Sequence, residues 1–335
     1  MRERTFATLM KRLARAGFKR EFVESAILPD WWEPSCADDP SILTDLEVRV
    51  ARFLGVGVSE LRTAKDLTAP AYAGARLRQV RDIPTDKLTP AIHAAVQVAG
   101  SVVRNLRNGG RPVEMPPRSG LDWRRSIGAL TTPLRLDHLV DDLWMRGVPV
   151  VPLDVLPTPG FQALACIVEN RPVIVLGYRH DEPSRVAFVV AHETGHVAAG
   201  DCSPGGPVVD QAEEEPIAPA DLERRAERYA LDVLTGGSVI PTIGADDPFE
   251  LAKQAAAAER DRGIDAGTVI YEWARRTGLY AAARQTMQAL YRARGARLLL
   301  RKRLGQWVDV ESASDTDRSL LNCVFGGAAA HAGPR

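Results

Sequence analysis

Cysteine is scarce in this chain: four in 335 residues, at positions 36, 166, 202 and 323. No two form a Cys-x-x-Cys pair, which excludes a disulfide-stapled scaffold and a cysteine zinc ribbon. Histidine is nearly as rare, at six. Net charge is missing too: lysine plus arginine is 43 and aspartate plus glutamate is 43. No global field therefore draws the chain to nucleic acid or anionic lipid. No apolar run approaches the ~20 residues that cross a bilayer, so no membrane partner is expected. Scattered cysteines and the absence of a signal-peptide pattern make the reducing cytoplasm the expected location. What is present is globular composition, 45% hydrophobic and 26% charged, in a chain long enough for two or three domains.

Against that background, two of the six histidines fall in one pentapeptide, His192-Glu-Thr-Gly-His196. On a helix they project from the same face, and two neutral imidazoles there can converge on one Zn²⁺. Glu193 is offset around the helix and can reach a metal-bound water without ligating the metal. The flanking sequence runs from Pro183-Ser184, with Ser184 as the expected N-cap, to Gly200 as the expected stop. Between them the helix is apolar on nearly every side except at the motif, which is the pattern of a buried helix. Burying two imidazoles and a carboxylate costs several kcal/mol unless something compensates, and a metal ion does. The competing reading is a pair of core histidines bonded to backbone carbonyls.

A catalytic zinc needs a third protein ligand and an open position. The downstream acids are Asp210, Glu213, Glu214, Glu215, Asp221, Glu223 and Glu227. Residues 222–234 read as a helix, with Gly236-Gly237 behind it. Glu223, Ala226, Glu227 and Ala230 share one stripe of it. The small alanines allow close packing on the histidine helix, which aims Glu223 or Glu227 at the metal. Glu213 to Glu215, followed by Pro216, reads as a solvated loop. Cys202 lies past Gly200 and reads as an exit-loop residue, and Cys166 as a small core hydrophobe.

Residues 185–234 resemble the ImmA/IrrE metallopeptidases. The motifs that carry the resemblance are Arg-Val-Ala-Phe-Val-Val-Ala-His-Glu-Thr-Gly-His at 185–196 and Glu-Arg-Arg-Ala-Glu-Arg-Tyr-Ala at 223–230. The resemblance implies His192, His196 and Glu223 as ligands of one zinc per chain, with Glu193 as general base. It implies a regulatory endopeptidase whose substrate is a DNA-binding repressor or antitoxin-like partner, cleaved in a stress or mobile-element response. Two positions depart from the family pattern. Tyr229 stands where phenylalanine is usual, and Glu227 where asparagine or aspartate is common, leaving a rival carboxylate one turn from Glu223.

The expected fold class is α+β and mostly helical, with a small antiparallel sheet beside the zinc-binding helix (a minimal zincin-like core) and helical regions on both flanks. Residues 1–66 read as helical, with stripes at Phe6, Leu9, Met10, Leu13 and at Leu43, Leu46, Val50, Leu54. The stretch 40–61 is similar to the closing helices of Cro/C1-type helix-turn-helix repressor domains. Where a recognition helix belongs, 27–36 is interrupted by Pro29 and Pro34. Three readings of this degenerate segment stay open: DNA binding, a protein-docking or sensing module, and structural packing. They carry the alternative function, a DNA-binding transcriptional regulator whose zinc fold senses or supports. Trp31-Trp32 reads as a core or interface anchor.

Residues 67–107 read as helical linker and 108–122 as a Gly/Pro-rich loop. The metallopeptidase core is expected over 123–240. There Thr132-Pro133 starts a helix carrying Leu136, Leu139, Val140, Leu143 and Trp144, and strand-like runs follow at 148–151, 161–168 and 171–176. Glu169-Asn170 is the expected hairpin turn. Pro172 assigns the last run to a sheet edge, where an extended peptide substrate could add as a strand. Residues 246–325 read as helical, with Asp247 and Asp265 as caps and Gly278 as a stop, and 326–335 as a disordered tail. His93, His138 and His331 are not ligand candidates.

Overall fold

Glu169 and Asn170 both take positive φ, 50° and 62°, the paired left-handed conformation of a type I′ turn. That turn closes the hairpin on which the rest of the sheet is assembled. A computed structural model describes residues 4–70, 76–78, 85–128, 133–157, 160–177, 181–202, 219–245, 247–290 and 292–325. Its helices are α1 Phe6–Arg15, α2 Arg20–Ala26, α3 Pro40–Leu54, α4 Val58–Thr63, α5 Thr85–Arg104, α6 Gly120–Ser126 and α7 Leu136–Met145. They continue as α8 Pro183–Ala199, α9 Pro219–Thr235, α10 Pro248–Arg262, α11 Ala266–Thr277, α12 Tyr280–Ala289, α13 Ala296–Trp307 and α14 Asp315–Phe325. The strands are β1 Arg76–Arg78, β2 Val150–Pro152, β3 Ala163–Val168 and β4 Arg171–Leu176. The fold is α+β and mostly helical, as expected.

The sheet corrects the expectation in three ways. Its order is β1-β3-β4-β2, and β2 runs parallel to β4, so it is mixed rather than antiparallel. A parallel pair needs a long connection, and the loop after β2 together with β3 supplies it. Second, β4 is an interior strand, with β3 on one side and β2 on the other. Pro172 is tolerated because β2 covers only the far half of β4, pairing Ile174 to Leu176. The Ile174 N–H donates to Pro149 O. An N–H at 172 would point the same way, off the start of β2, so proline removes no ladder bond there. Third, β1 falls in the stretch expected to be helical linker, and it pairs antiparallel with β3.

Local punctuation was read more accurately. Gly200 (φ 77°), Gly263 (64°) and Gly278 (78°) sit in the left-handed conformation at helix ends. Asp247 and Asp265 accept from Glu250 N and Thr268 N as N-caps. Ser184 is a correction: α8 begins with Pro183 at its first position and Glu182 as N-cap, and Ser184 donates instead to Asp265 Oδ2 at 2.6 Å. The expected tail at 326–335 and the acidic run at 213–215 lie outside the described residues.

One hydrophobic core runs from Phe6 to Val324 and joins the N-terminal helices, the sheet, α7 to α9, α13 and α14. A second, from Ile243 to Met287, holds α10 to α12 together. The C-terminal helices therefore divide between the two cores, and α14 packs on α2 and α5. In the N-terminal segment the connection from α2 to α3 holds no α-helix, only a loop and a 3₁₀ turn at Pro34–Asp38. Several of its basic residues are used internally. Arg4 pairs with buried Glu47 at 2.8 Å, Arg12 donates to Leu61 O and Ala64 O, and Arg20 pairs with Glu24. Trp32 packs on Phe6, with ring centroids 5.0 Å apart, while Trp31 is exposed. No described helix is long and apolar enough to cross a membrane.

His93 joins this segment to the main body. It is buried, lies edge-on to Phe53, and its Nε2–H donates to Phe53 O at 2.6 Å. Burial lowers its pKa from the ordinary 6.5 to about 4, against a smaller opposing effect of that bond. The unfolded chain thus takes up this proton near pH 6.5 and the folded chain only near 4. The stability this contributes is whole above 6.5 and is lost as pH falls toward 4. At pH 5 the wild type is expected to have lost about 2 kcal/mol more than His93→Gln, which keeps an N–H donor without the charge. Urea unfolding at pH 7 and pH 5 measures this, and parallel losses in the two proteins would refute it.

Candidate metal centre

The site begins with a buried helix. From Val189 to Ala198 every residue of α8 is buried, with Glu193 at 0% exposure and both histidines at 2%. The apolar run did predict burial all round. Gly195 then fixes how near α9 can come: a Cβ there would lie 3.1 Å from Ala226 Cα and 3.2 Å from Tyr229 Cβ. This close approach, with Ala226 on the facing helix, carries Glu223 up to the imidazoles. Tyr229 is a core residue, its ring beside Trp123 and its hydroxyl donating to Pro117 O at 2.9 Å.

Three side chains meet. His192 Nε2 lies 3.2 Å from Glu223 Oε2, His196 Nε2 lies 3.4 Å from Glu223 Oε1, and the two Nε2 atoms are 3.3 Å apart. Four ligands at 2.0–2.1 Å in a tetrahedron stand about 3.3 Å from one another. The separations thus match the edge length of a tetrahedral zinc site, the two to Glu223 ending on different oxygens of its carboxylate, and the donors, two imidazoles and a carboxylate, suit that metal. Among the described residues it is the one His/Cys/Asp/Glu group able to hold an ion. The imidazoles are buried and Glu223 is half-exposed, so the group borders solvent on the carboxylate side.

Other candidates fall away. Glu227 pairs with Arg275 at 3.5 Å instead. Asp221 pairs with Arg224 on the helix surface. Cys202 lies beyond the helix end and outside the group. The Cys166 thiol is pushed up to about 12 by burial and by the nearby Glu193 charge, which keeps it protonated and poor as a ligand. His138 is on the surface of α7, its Nδ1 accepting from Arg135 N.

One residue was missed. Asp201 Oδ2 accepts from His196 Nδ1 at 2.9 Å, and its other oxygen accepts from Arg225 at 2.5 Å. The left-handed turn at Gly200 doubles the chain back, with Asp201 N–H bonding His196 O at 3.0 Å. The signal was an acid directly behind a helix-ending glycine, five residues from the second histidine. A carboxylate on Nδ1 holds the ring so that Nε2 faces the other two donors.

The electrostatics agree with the geometry. Burial alone would lower the His196 pKa, but its bonds to Asp201 and Glu223 and the charge of Glu193 outweigh that and raise it to about 9. Burial would raise Glu223, but its bonds to both imidazoles hold its carboxyl well below the usual carboxylate range. A field that favours an imidazolium here also favours a metal cation. Asp201→Asn is expected to weaken zinc binding about 10- to 100-fold, measured by chelator competition. Unchanged affinity would remove Asp201 from the site. No family model, curated protein or solved structure matches this chain.

Proposed function

We propose that this chain is a zinc-dependent endopeptidase that binds one zinc through His192, His196 and Glu223 and uses Glu193 as general base. The observation that carries the reading is the cluster of two imidazoles and a carboxylate 3.2–3.4 Å apart, with the imidazoles on the helix that also holds a fully buried Glu193. Zinc bound there would polarise a scissile carbonyl and lower the pKa of water toward about 7. The Glu193 carboxylate would take a proton from the attacking water and deliver it to the departing amine. His196, held by Asp201, stays in one orientation through turnover.

The resemblance to ImmA/IrrE metallopeptidases supports a cytoplasmic, regulatory role, with a repressor or antitoxin-like protein as substrate. Balanced charge and arginines engaged within the N-terminal segment favour a docking or sensing role for it over the alternative of a DNA-binding regulator. The test is zinc content together with cleavage of a co-expressed regulator, wild type against Glu193→Gln. A zinc-free wild-type protein that cuts nothing would overturn the proposal.

A further inference from the structure

We propose that a cleft one helical turn from the metal group is a specificity subsite for an apolar, phenyl-sized side chain of the substrate, with Gln162 and Tyr271 as its polar anchors. This deepens the peptidase reading and rests on it. The cleft has a volume of about 160 Å³, close to the ~150 Å³ cavity that takes up benzene. Its walls include Phe188, Val189, Leu231 and Tyr271.

The two helices that carry the metal group also build the cleft. Phe188 lies one turn before His192, with ring centroids 6.4 Å apart. Leu231 continues the α9 stripe of Glu223 and Glu227. An extended peptide advances about 3.3 Å per residue, so a side chain in the cleft belongs to a residue within about two of the cut bond. Helix α11 forms the third wall. It comes close because Gly267 has no side chain: a Cβ there would lie 2.0 Å from Ser184 Oγ.

The lining also holds Arg185, Glu272 and Arg275, and these charges are engaged in the wall itself, with Arg185 over the Tyr271 ring at 5.9 Å. Arg275 at the rim is bonded by Glu272 at 2.8 Å and approached by Glu227 at 3.5 Å. Two polar groups remain. Gln162 lines the cleft and is only 8% exposed. The Tyr271 hydroxyl is buried with no hydrogen-bond partner among them. Buried polar groups are ordinarily satisfied, and a peptide backbone offers the partner that the Tyr271 hydroxyl lacks, with Gln162 beside it in the same lining.

The experiment uses the full-length zinc-loaded protein and a proteome-derived peptide mixture, with cleavage sites read by mass spectrometry. The wild type is expected to favour Phe, Tyr, Leu or Met at one position within two residues of the cut. Leu231→Trp fills the cleft and should shift that position toward Ala and Gly by about 10-fold or more, with zinc content unchanged. Tyr271→Phe and Gln162→Leu should lower kcat/KM several-fold on the same peptides, again without zinc loss.

A second readout needs no cleavage. The ¹⁹F line of N-acetyl-4-fluorophenylalanine amide should broaden with Glu193→Gln protein and sharpen when Leu231→Trp is added. An unselective wild-type profile, or a Leu231→Trp protein that alters neither readout, overturns the subsite. If the wild type cuts nothing while the fluorine line still responds to Leu231→Trp, the cleft stands as an apolar site and the peptidase reading falls. If neither cleavage nor broadening occurs, both fall.

Discussion

Glu193→Gln protein is expected to keep its zinc and to lose cleavage by about 10³-fold or more, the upper part of the range for removing a general base. The amide is isosteric with the carboxylate, so the buried position keeps its shape, and Glu193 is not one of the three donors that meet. His192→Ala should behave in the opposite order. It removes one member of the donor cluster and leaves the Glu223 carboxylate facing a single imidazole, so zinc is lost and activity goes with it. Metal content by elemental analysis and cleavage on the same preparations separate the two. If Glu193→Gln released zinc as well, Glu193 would be a ligand and the base would have to be sought elsewhere. If it kept both zinc and activity, proton transfer would not run through this side chain.

How much of this was legible before the structure depended on sequence distance. Most features set within one or two turns were read well, the Ser184 cap excepted. Gly200, Gly263 and Gly278 end helices because only glycine enters the left-handed conformation freely, and Asp247 and Asp265 cap because a short acceptor reaches the first free N–H groups. The His192–His196 pair is local in the same sense. Features made by distant segments were not legible. Strand β1 owes its existence to pairing with β3, and three residues carry no periodicity of their own. Pro172 correctly reported a missing ladder bond, but one half of a strand can lack a neighbour while the other half is paired. Asp201 was close in sequence, yet its role depends on the chain doubling back at Gly200. The cleft is the furthest case. Phe188, Leu231 and Tyr271 come from three separate helices and Gln162 from the bend before β3, and no spacing rule connects them.

The N-terminal segment shows a related limit. Its charge balance was countable, but the use of those charges was not. Glu47, almost fully buried between Arg4 and Arg62, holds its carboxyl below the usual range because bonds to both arginines outweigh the cost of burial. Arginines committed to such partners and to backbone carbonyls are not free to neutralise phosphates, and phosphate neutralisation is the main source of duplex affinity. This bears on function because the same core that contains α1 to α4 also contains the zinc helix, so a partner docked on this segment would load the body that holds the site.

The third ligand gives the second large effect. Glu223→Ala should weaken zinc binding on the order of 100-fold or more, while Glu227→Ala should leave it nearly intact. From the sequence these two carboxylates compete, since they lie one turn apart on the same stripe of α9. Packing separates them. The contact of Gly195 with Ala226 and Tyr229 sets α9 so that its first turns lie beside His192 and His196. One turn on, Glu227 has passed the imidazoles and meets Arg275 from α11. Glu223, bonded to both rings, is ionised far below neutral pH, as a ligand must be, and Glu227 has its own cation. Losing Glu227 frees Arg275 to rely on Glu272 alone, a partly exposed rearrangement worth little. Zinc affinity by chelator competition on the two single variants decides between them. The reverse order of effects would mean that α9 sits one turn along from its place here, and the walls of the cleft at Leu231 would have to be redrawn with it.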